Sequence, residues 1–268
     1  MKNLFIILFI LCAFNSNAQR TIFVGQNNYV APLTSNSINV ITAPSNGGGL
    51  VLNLDARNAN SLAQTGNPRT WYDLTANHND ATIYGSLAYG TGNGGAMNFP
   101  GGDANYAQAK SGIYFNGSSF TIQSWVYPVE LLNWNRIIDF GNGAGVNNIL
   151  LSNTYGSSGA PGLYIEGAQF QASTVLTLNT WHFICATYNA STRIAAIYVD
   201  GQPSGTGTNY PAPQNVNRTL CYIGKSNWGH GPDPNFHGGI GSVQIYNGYL
   251  TPSEILSNYN TTKIYYGL

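Results

Sequence analysis

The sequence predicts an all-β protein, a two-sheet antiparallel sandwich with one short C-terminal helix. Three observations carry this expectation. From residue 50 onward, short apolar or alternating runs recur between Gly, Asn and Pro clusters, which is how strands joined by tight turns read. Only one segment carries helix start signals. No internal repeat is visible, and the number of runs suits a single pair of packed sheets.

The elements follow in order. The chain opens MKNLFIILFILCAFNSNAQ, where Lys2 supplies a positive n-region, Leu4 to Phe14 an apolar h-region and Ser16-Asn17-Ala18 a small-residue cleavage site. Residues 1–18 are therefore expected to be a secretory signal peptide, and the protein to be secreted or displayed at the cell surface. Such an apolar run is too short to span a bilayer, which takes roughly twenty residues. Cys12 follows Leu11 rather than a small residue, so no lipid anchor is expected. Residues 19–49 lack a helical period and end in a Gly run, reading as an extended N-terminal arm and linker. Residues 50–268 form the expected domain.

Within it, strands are expected over 119–128 (SFTIQSWVYP), 135–141 (NRIIDFG), 147–152 (NNILLS), 162–167 (GLYIEG), 180–189 (TWHFICATYN), 192–201 (TRIAAIYVDG), 219–226 (TLCYIGKS) and 238–247 (GGIGSVQIYN). In WHFICATY, Trp181, Phe183, Cys185 and Thr187 share one face, and His182, Ile184, Ala186 and Tyr188 the other. Both faces are mostly apolar, which places this strand centrally. NAST then makes a tight hairpin to the next strand, and Asp200-Gly201 the turn after that. TPSEILSNY supplies Thr251 as N-cap, Pro252 at N1 and Glu254 at N3, a capping box.

Composition narrows the function. Charged residues make up 7 %, and ten basic balance ten acidic ones, so nothing marks a nucleic-acid or anionic-membrane partner. The 32 Gly and 18 Tyr suit secreted sandwiches that bind neutral partners, and equally the subunits of surface assemblies. Removing the signal peptide leaves Cys185 and Cys221, an even number in an oxidising compartment. They either form one disulfide or stay as buried thiols.

Seven motifs in order carry a family likeness: LVLNLDA, TWYDLTANHNDATIYG, GGAMNFPGGDANYAQ, SFTIQSWVYP, TWHFICATYNASTRIAAIYVDG, LCYIGKS and FHGGIGSVQIYNGYLTPSEILSNYNTTK. Through them the chain resembles the laminin G-like, concanavalin A-like jelly-roll domains, in the variant of bacterial secreted and phage structural proteins. The resemblance implies the jelly-roll form of the sandwich. It implies no single activity, since relatives range from carbohydrate-binding modules to glycan-degrading enzymes.

Retaining glycosidases of this fold place two glutamates on one strand, about 5 Å apart. Here the glutamates are Glu130, Glu166 and Glu254, far apart in sequence, and no two carboxylates sit at i and i+2. No G-x-S-x-G, H-E-x-x-H, C-x-x-C or P-loop is present. A non-catalytic protein is expected, with Arg136, Arg193 and His182 the residues to test for a lyase.

Related domains often place calcium ligands in the loop that here reads GGDANY. Asp103 and Asn105 are its candidate ligands, with Asp139 and Asn142 from DFGNG as neighbours; the alternative is that all four hydrogen-bond their own turns. The stretch NWGHGPDPNFHGG holds His230, Asp233 and His237, but Pro232 and Pro234 interrupt them and the spacing fits no zinc motif. It is better read as a loop at the sandwich rim, where rigid strands support variable tips. Sugars present apolar C–H faces to aromatic planes and hydroxyls to amides and carboxylates, so Trp228, Asn227 and Asp233 are ligand-contact candidates. Trp134, Tyr155 and Tyr210, in other loops, join them.

The expected function is a secreted binding or adhesion module that recognises glycans through rim loops. The alternative is a structural subunit of a surface assembly, docking on itself or a surface protein through residues 20–46, where Thr21 to Val24 could add a strand to a neighbouring edge. A polysaccharide-degrading enzyme is the third reading.

Overall fold

The computed structural model describes residues 43–45 and 48–268. The expected signal peptide, Cys12 and nearly all of the arm over residues 19–49 lie outside the described residues. Among these, sixteen strands run in chain order: β1 (Leu50–Asp55), β2 (Thr70–Trp71), β3 (Ala81–Tyr84), β4 (Ala88–Gly90), β5 (Ala96–Pro100), β6 (Tyr106–Ala109), β7 (Phe120–Pro128) and β8 (Arg136–Gly141). Then come β9 (Ile149–Ser152), β10 (Gly162–Ile165), β11 (Ala168–Gln171), β12 (His182–Asn189), β13 (Ile194–Val199), β14 (Gln202–Gly207), β15 (Leu220–Ile223) and β16 (His237–Tyr246). Helix α1 (Pro252–Thr262) and a 3-10 turn over Lys263–Tyr266 close the chain.

The strands form two eight-stranded antiparallel sheets. The first runs β14-β13-β12-β7-β16-β5-β4, with β1 on β16. The second runs β11-β10-β9-β8-β15-β6-β3-β2. The ten residues of β16 serve two partners along one edge: β5 pairs with His237–Ile240, and β1 takes over across Ser242–Tyr246. The strands expected from the sequence are all present, and β12 lies inside its sheet, between β13 and β7.

Alternation decides which side chains fill the space between the sheets. From β12, Ile184, Ala186 and Tyr188 enter the main core, with Ile122 and Val126 from β7 and Val243 and Ile245 from β16. The second sheet answers with Ala107, Ile138, Phe140, Leu151, Leu163 and Ile223. Each Val, Ile, Leu or Phe among them contributes roughly 1.5 to 3 kcal/mol through burial.

The other face of the first sheet has its own cover. Trp125, Phe183, Cys185 and Tyr246 form a second cluster with Ile255 of α1 and Tyr266. Trp125 stacks on Tyr266 at 4.3 Å and on Tyr259 at 5.8 Å, and its indole N–H donates to Thr262 Oγ1 at 2.9 Å. The helix begins as the sequence predicts: Thr251 caps the backbone of Glu254, and the Glu254 carboxylate accepts from Thr251 N–H at 2.6 Å.

The two cysteines correct an expectation. Cys185 and Cys221 are free thiols, each fully buried. Cys185 belongs to the outer cluster of the first sheet and Cys221 to the main core, so the first sheet's backbone separates them and no bridge forms. Equal parity in the sequence says nothing of which sheet each strand joins.

Candidate ligand-binding groove

The outer face of the second sheet carries the site, and a backbone irregularity in β8 builds its floor. Register slips between Arg136, paired with Ser152, and Ile138, paired with Leu151. Strict alternation would send residues three apart to opposite faces. The bulge instead turns Ile137 and Ile138 both into the core and leaves Arg136 and Asp139 together on the outside.

Arg136 is the hub. Its Nη2 donates to Asp233 Oδ2 at 2.8 Å, its Nη1 to the Trp134 carbonyl, and its Nε lies 3.6 Å from Asp139 Oδ2. The guanidinium carbon sits 5.1 Å from the Trp134 ring centre and 5.5 Å from that of Trp228. Burial pushes this guanidinium down, opposed by Asp139 and Asp233. Burial pushes the Asp139 carboxyl up, opposed by Arg136 and by hydrogen bonds from Asn227 and Asn148. Two carboxylates thus answer one guanidinium, leaving no unpaired cation to draw an anion.

Asparagines lace the loops onto this floor. Asn227 donates its backbone N–H to Asp139 Oδ2 and its side-chain amide to the Asp139 carbonyl, both at 2.9 Å. Ser226 Oγ donates to Asp233 Oδ2 at 2.9 Å and accepts from Trp228 N–H at 3.0 Å. Asn135 Nδ2 reaches the carbonyls of Pro234 and Asn235 at 3.0 and 3.1 Å, joining the loop before β8 to the loop before β16. Trp134 adopts a left-handed backbone, φ 53°, a strained choice for a bulky residue, and its ring lies 4.5 Å from Tyr155.

The result is a groove of about 420 Å³ between the two tryptophans. Tyr164 from β10 meets Trp228 edge-on at 5.8 Å, and Leu150, Gln169, Gly145 and Pro232 complete the lining. The volume lies in the range of small-ligand sites, and the lining pairs aromatic faces with an exposed amide at Gln169.

Of the residues singled out in the sequence, Trp228, Trp134 and Asp233 meet in this groove, and Tyr155 backs Trp134. Asn227 holds the loop rather than the lining. Tyr210 corrects its expectation: it is 5 % exposed, packed in the core against Phe170 at 5.4 Å, with its carbonyl accepting from Arg193. Tyr164, Leu150 and Gln169 were not foreseen, although alternation in GLYIEG does set Tyr164 opposite Leu163 and Ile165. Arg136, His182 and Arg193 do not gather: His182 pairs with Asp200 at 2.9 Å, and Arg193 ties the hairpin to Asn209 and Tyr210.

The calcium candidates divide into separate hydrogen-bond systems. Asp139 is sealed beneath Asn227, and Asn142 binds Thr219 and the Asn217 carbonyl. Asn105 spans the Gly101 carbonyl and Ser86 N–H, while the carbonyls of Gly102, Asp103 and Asn105 converge on Asn235 Nδ2. An amide therefore occupies the point where these carbonyls could meet a cation, and the four side chains do not fit a calcium ion. Among the described residues no three His, Cys, Asp or Glu side chains form a metal-binding group. No helix among them is long and apolar enough to cross a membrane.

Comparison with known proteins agrees with this architecture. No curated protein matches the chain. Among solved structures, it is similar to domain 4 of AbnA, a GH43 extracellular arabinanase from Geobacillus stearothermophilus, in complex with arabinotriose: TM-score 0.62, 22 % identity, 79 % of this chain and 98 % of that one. It is also similar to the binding domain of Paraclostridial Mosquitocidal Protein 1, TM-score 0.57 at 15 % identity, over 79 % of this chain and 52 % of that one. Trypanosoma rangeli sialidase in complex with 2,3-difluorosialic acid gives TM-score 0.58 at 18 % identity, over 81 % of this chain but 33 % of the enzyme. The chain therefore spans the whole arabinanase domain but about half of the toxin domain and a third of the sialidase. These likenesses are of fold. The family model described as the concanavalin A-like lectin/glucanases superfamily, Laminin_G_3, matches residues 100–256, more than half of the chain, and the chain, folded as a two-sheet sandwich, belongs to that superfamily.

Proposed function

We propose that this protein is an exported, non-catalytic module that binds a neutral glycan in the Trp134–Trp228 groove. One observation carries the reading: two tryptophans held by a buried, charge-compensated arginine face a groove of about 420 Å³ on the outer side of the second sheet, which no other described element covers. Aromatic planes suit the apolar faces of sugar rings, and Gln169 offers hydrogen bonds to hydroxyls. Both carboxylates on the floor, Asp139 and Asp233, are engaged by Arg136, which supports binding over acid-base chemistry. The arabinotriose in the AbnA domain makes arabino-oligosaccharides sensible first probes.

The test is a glycan array followed by calorimetry on the best neutral ligand. Trp228→Ala should weaken binding at least about tenfold, the equivalent of about 1.4 kcal/mol, without changing the melting temperature by more than a few degrees. Absence of any glycan binding, or turnover of a bound polysaccharide, overturns the reading.

A further inference from the structure

The Trp134–Trp228 groove is not alone on its face. Across the second sheet Tyr164, Leu150, Asp139 and Tyr222 stand in one register row on β10, β9, β8 and β15. Tyr106 on β6 and Tyr84 on β3 pair directly in the next row. The two tyrosine rings stack at 4.7 Å, and Tyr222 meets Tyr106 edge-on at 5.4 Å. Lys225 holds its ammonium 3.9 Å above the Tyr106 ring and forms no ion pair among the described residues. With Asp103 and His230 at the rim, 3.7 Å apart, Tyr84, Tyr106 and Lys225 line a second open cavity of about 630 Å³.

A single short stretch of chain divides the two cavities. Trp228, Pro232 and Asp233 line the first, and Gly229 and His230 the second. Trp228 and Gly229 are consecutive, about 3.8 Å apart at Cα, so the two cavities take adjacent walls from this one loop. From Tyr164 to Tyr84 is five strand spacings, about 24 Å, well beyond the reach of one sugar ring.

We propose that the two cavities are consecutive subsites of one track, and that the protein grips a linear polysaccharide along its length rather than at a chain end. This rests on the glycan reading above and extends it to the class of ligand. Tyr84 is 40 % exposed although it stacks on a neighbour, so a flat aromatic face on a rigid strand is presented outward. Lys225, cradled on tyrosine rings, has no hydrogen-bond acceptor among the described residues and can offer its ammonium to hydroxyl or ring oxygens beside that face. The track runs across the sheet, from the β10–β11 side to the β3–β2 side. A chain lying on it would stack first on the tryptophans and then on the tyrosines.

Calorimetry with linear arabino-, xylo-, cello- and laminari-oligosaccharides, from disaccharide to hexasaccharide, tests this. Wild type should bind one ladder with affinity rising with length. Tyr84→Ala should cost about tenfold on the hexasaccharide and leave the disaccharide unchanged, whereas Trp228→Ala weakens both. Lys225→Met, which keeps the apolar stem, should repeat the length-selective loss if folding around Tyr84 is in question. Affinity that is flat with length, with Tyr84→Ala and Lys225→Met both matching wild type, overturns the track and leaves the first groove standing. Failure of every ladder to bind wild type, together with an empty glycan array, overturns both.

Discussion

At the scale of residues, Arg136 decides more than any other side chain whether the groove exists. It is 3 % exposed, ion-paired to Asp233 and set against Asp139, and it underlies both tryptophans. Removing one partner of a buried charge cluster leaves the others desolvated without compensation, at a cost of about 3 to 5 kcal/mol. Arg136→Ala should therefore lower stability by that order in urea denaturation, because Asp139 keeps only its hydrogen bonds from Asn227 and Asn148. A loss under about 1 kcal/mol would mean that the cluster is solvated and the groove floor is not what fixes Trp134 and Trp228. Asn227 shows the same logic from the loop side: its amide and backbone N–H both serve Asp139, so it shapes the site without lining it.

At the scale of elements, α1 offers a pH-dependent test. Burial alone would raise the Glu254 carboxyl, but hydrogen bonds from Thr251 and from Ser45 outweigh it and hold the group below the ordinary glutamate range. A depressed folded value adds stability above the unfolded value near 4.3, and that stability fades as pH falls through the folded value. Glu254→Gln should thus flatten the acid limb of the stability curve below about pH 4, and Thr251→Ala should cost about 1 kcal/mol at neutral pH. An unchanged acid limb in Glu254→Gln would show that the capping carboxylate does not titrate with folding. This helix was fully legible in the sequence, because Thr251, Pro252 and Glu254 signal locally. The strands with long apolar runs were legible for the same reason. β11 (AQFQ) and β14 (QPSGTG) were not, since β11 is only four residues long, β14 carries Pro, two Gly and no large apolar residue, and both lie at sheet edges. The site was half legible: Trp134 and Trp228 stand out as loop aromatics, whereas Tyr164 and Leu150 sit in strands whose outer face could be known as open only once the sheet order was fixed.

At the scale of the whole molecule, the sandwich holds itself together by packing rather than by a covalent staple. Two eight-stranded sheets enclose a main core, and α1 closes a second cluster outside the first sheet, burial enough for a domain of this length to fold without a disulfide. Cys185 and Cys221 sit on the two sides of the first sheet's backbone. Burial drives the Cys185 thiol well above its ordinary value; it pushes Cys221 up to about 12 against the pull of Arg218. Neither is a thiolate at neutral pH, so neither should react with iodoacetamide while the fold is intact. Both should label once guanidinium unfolds the chain, and the melting temperature should be the same with and without reductant. A bridge would instead have contributed on the order of 3 to 4 kcal/mol through the loop it closes. Loss of several degrees on adding reductant, or failure of both thiols to label after unfolding, would contradict the separation of the two strands and with it the assignment of β12 and β15 to different sheets.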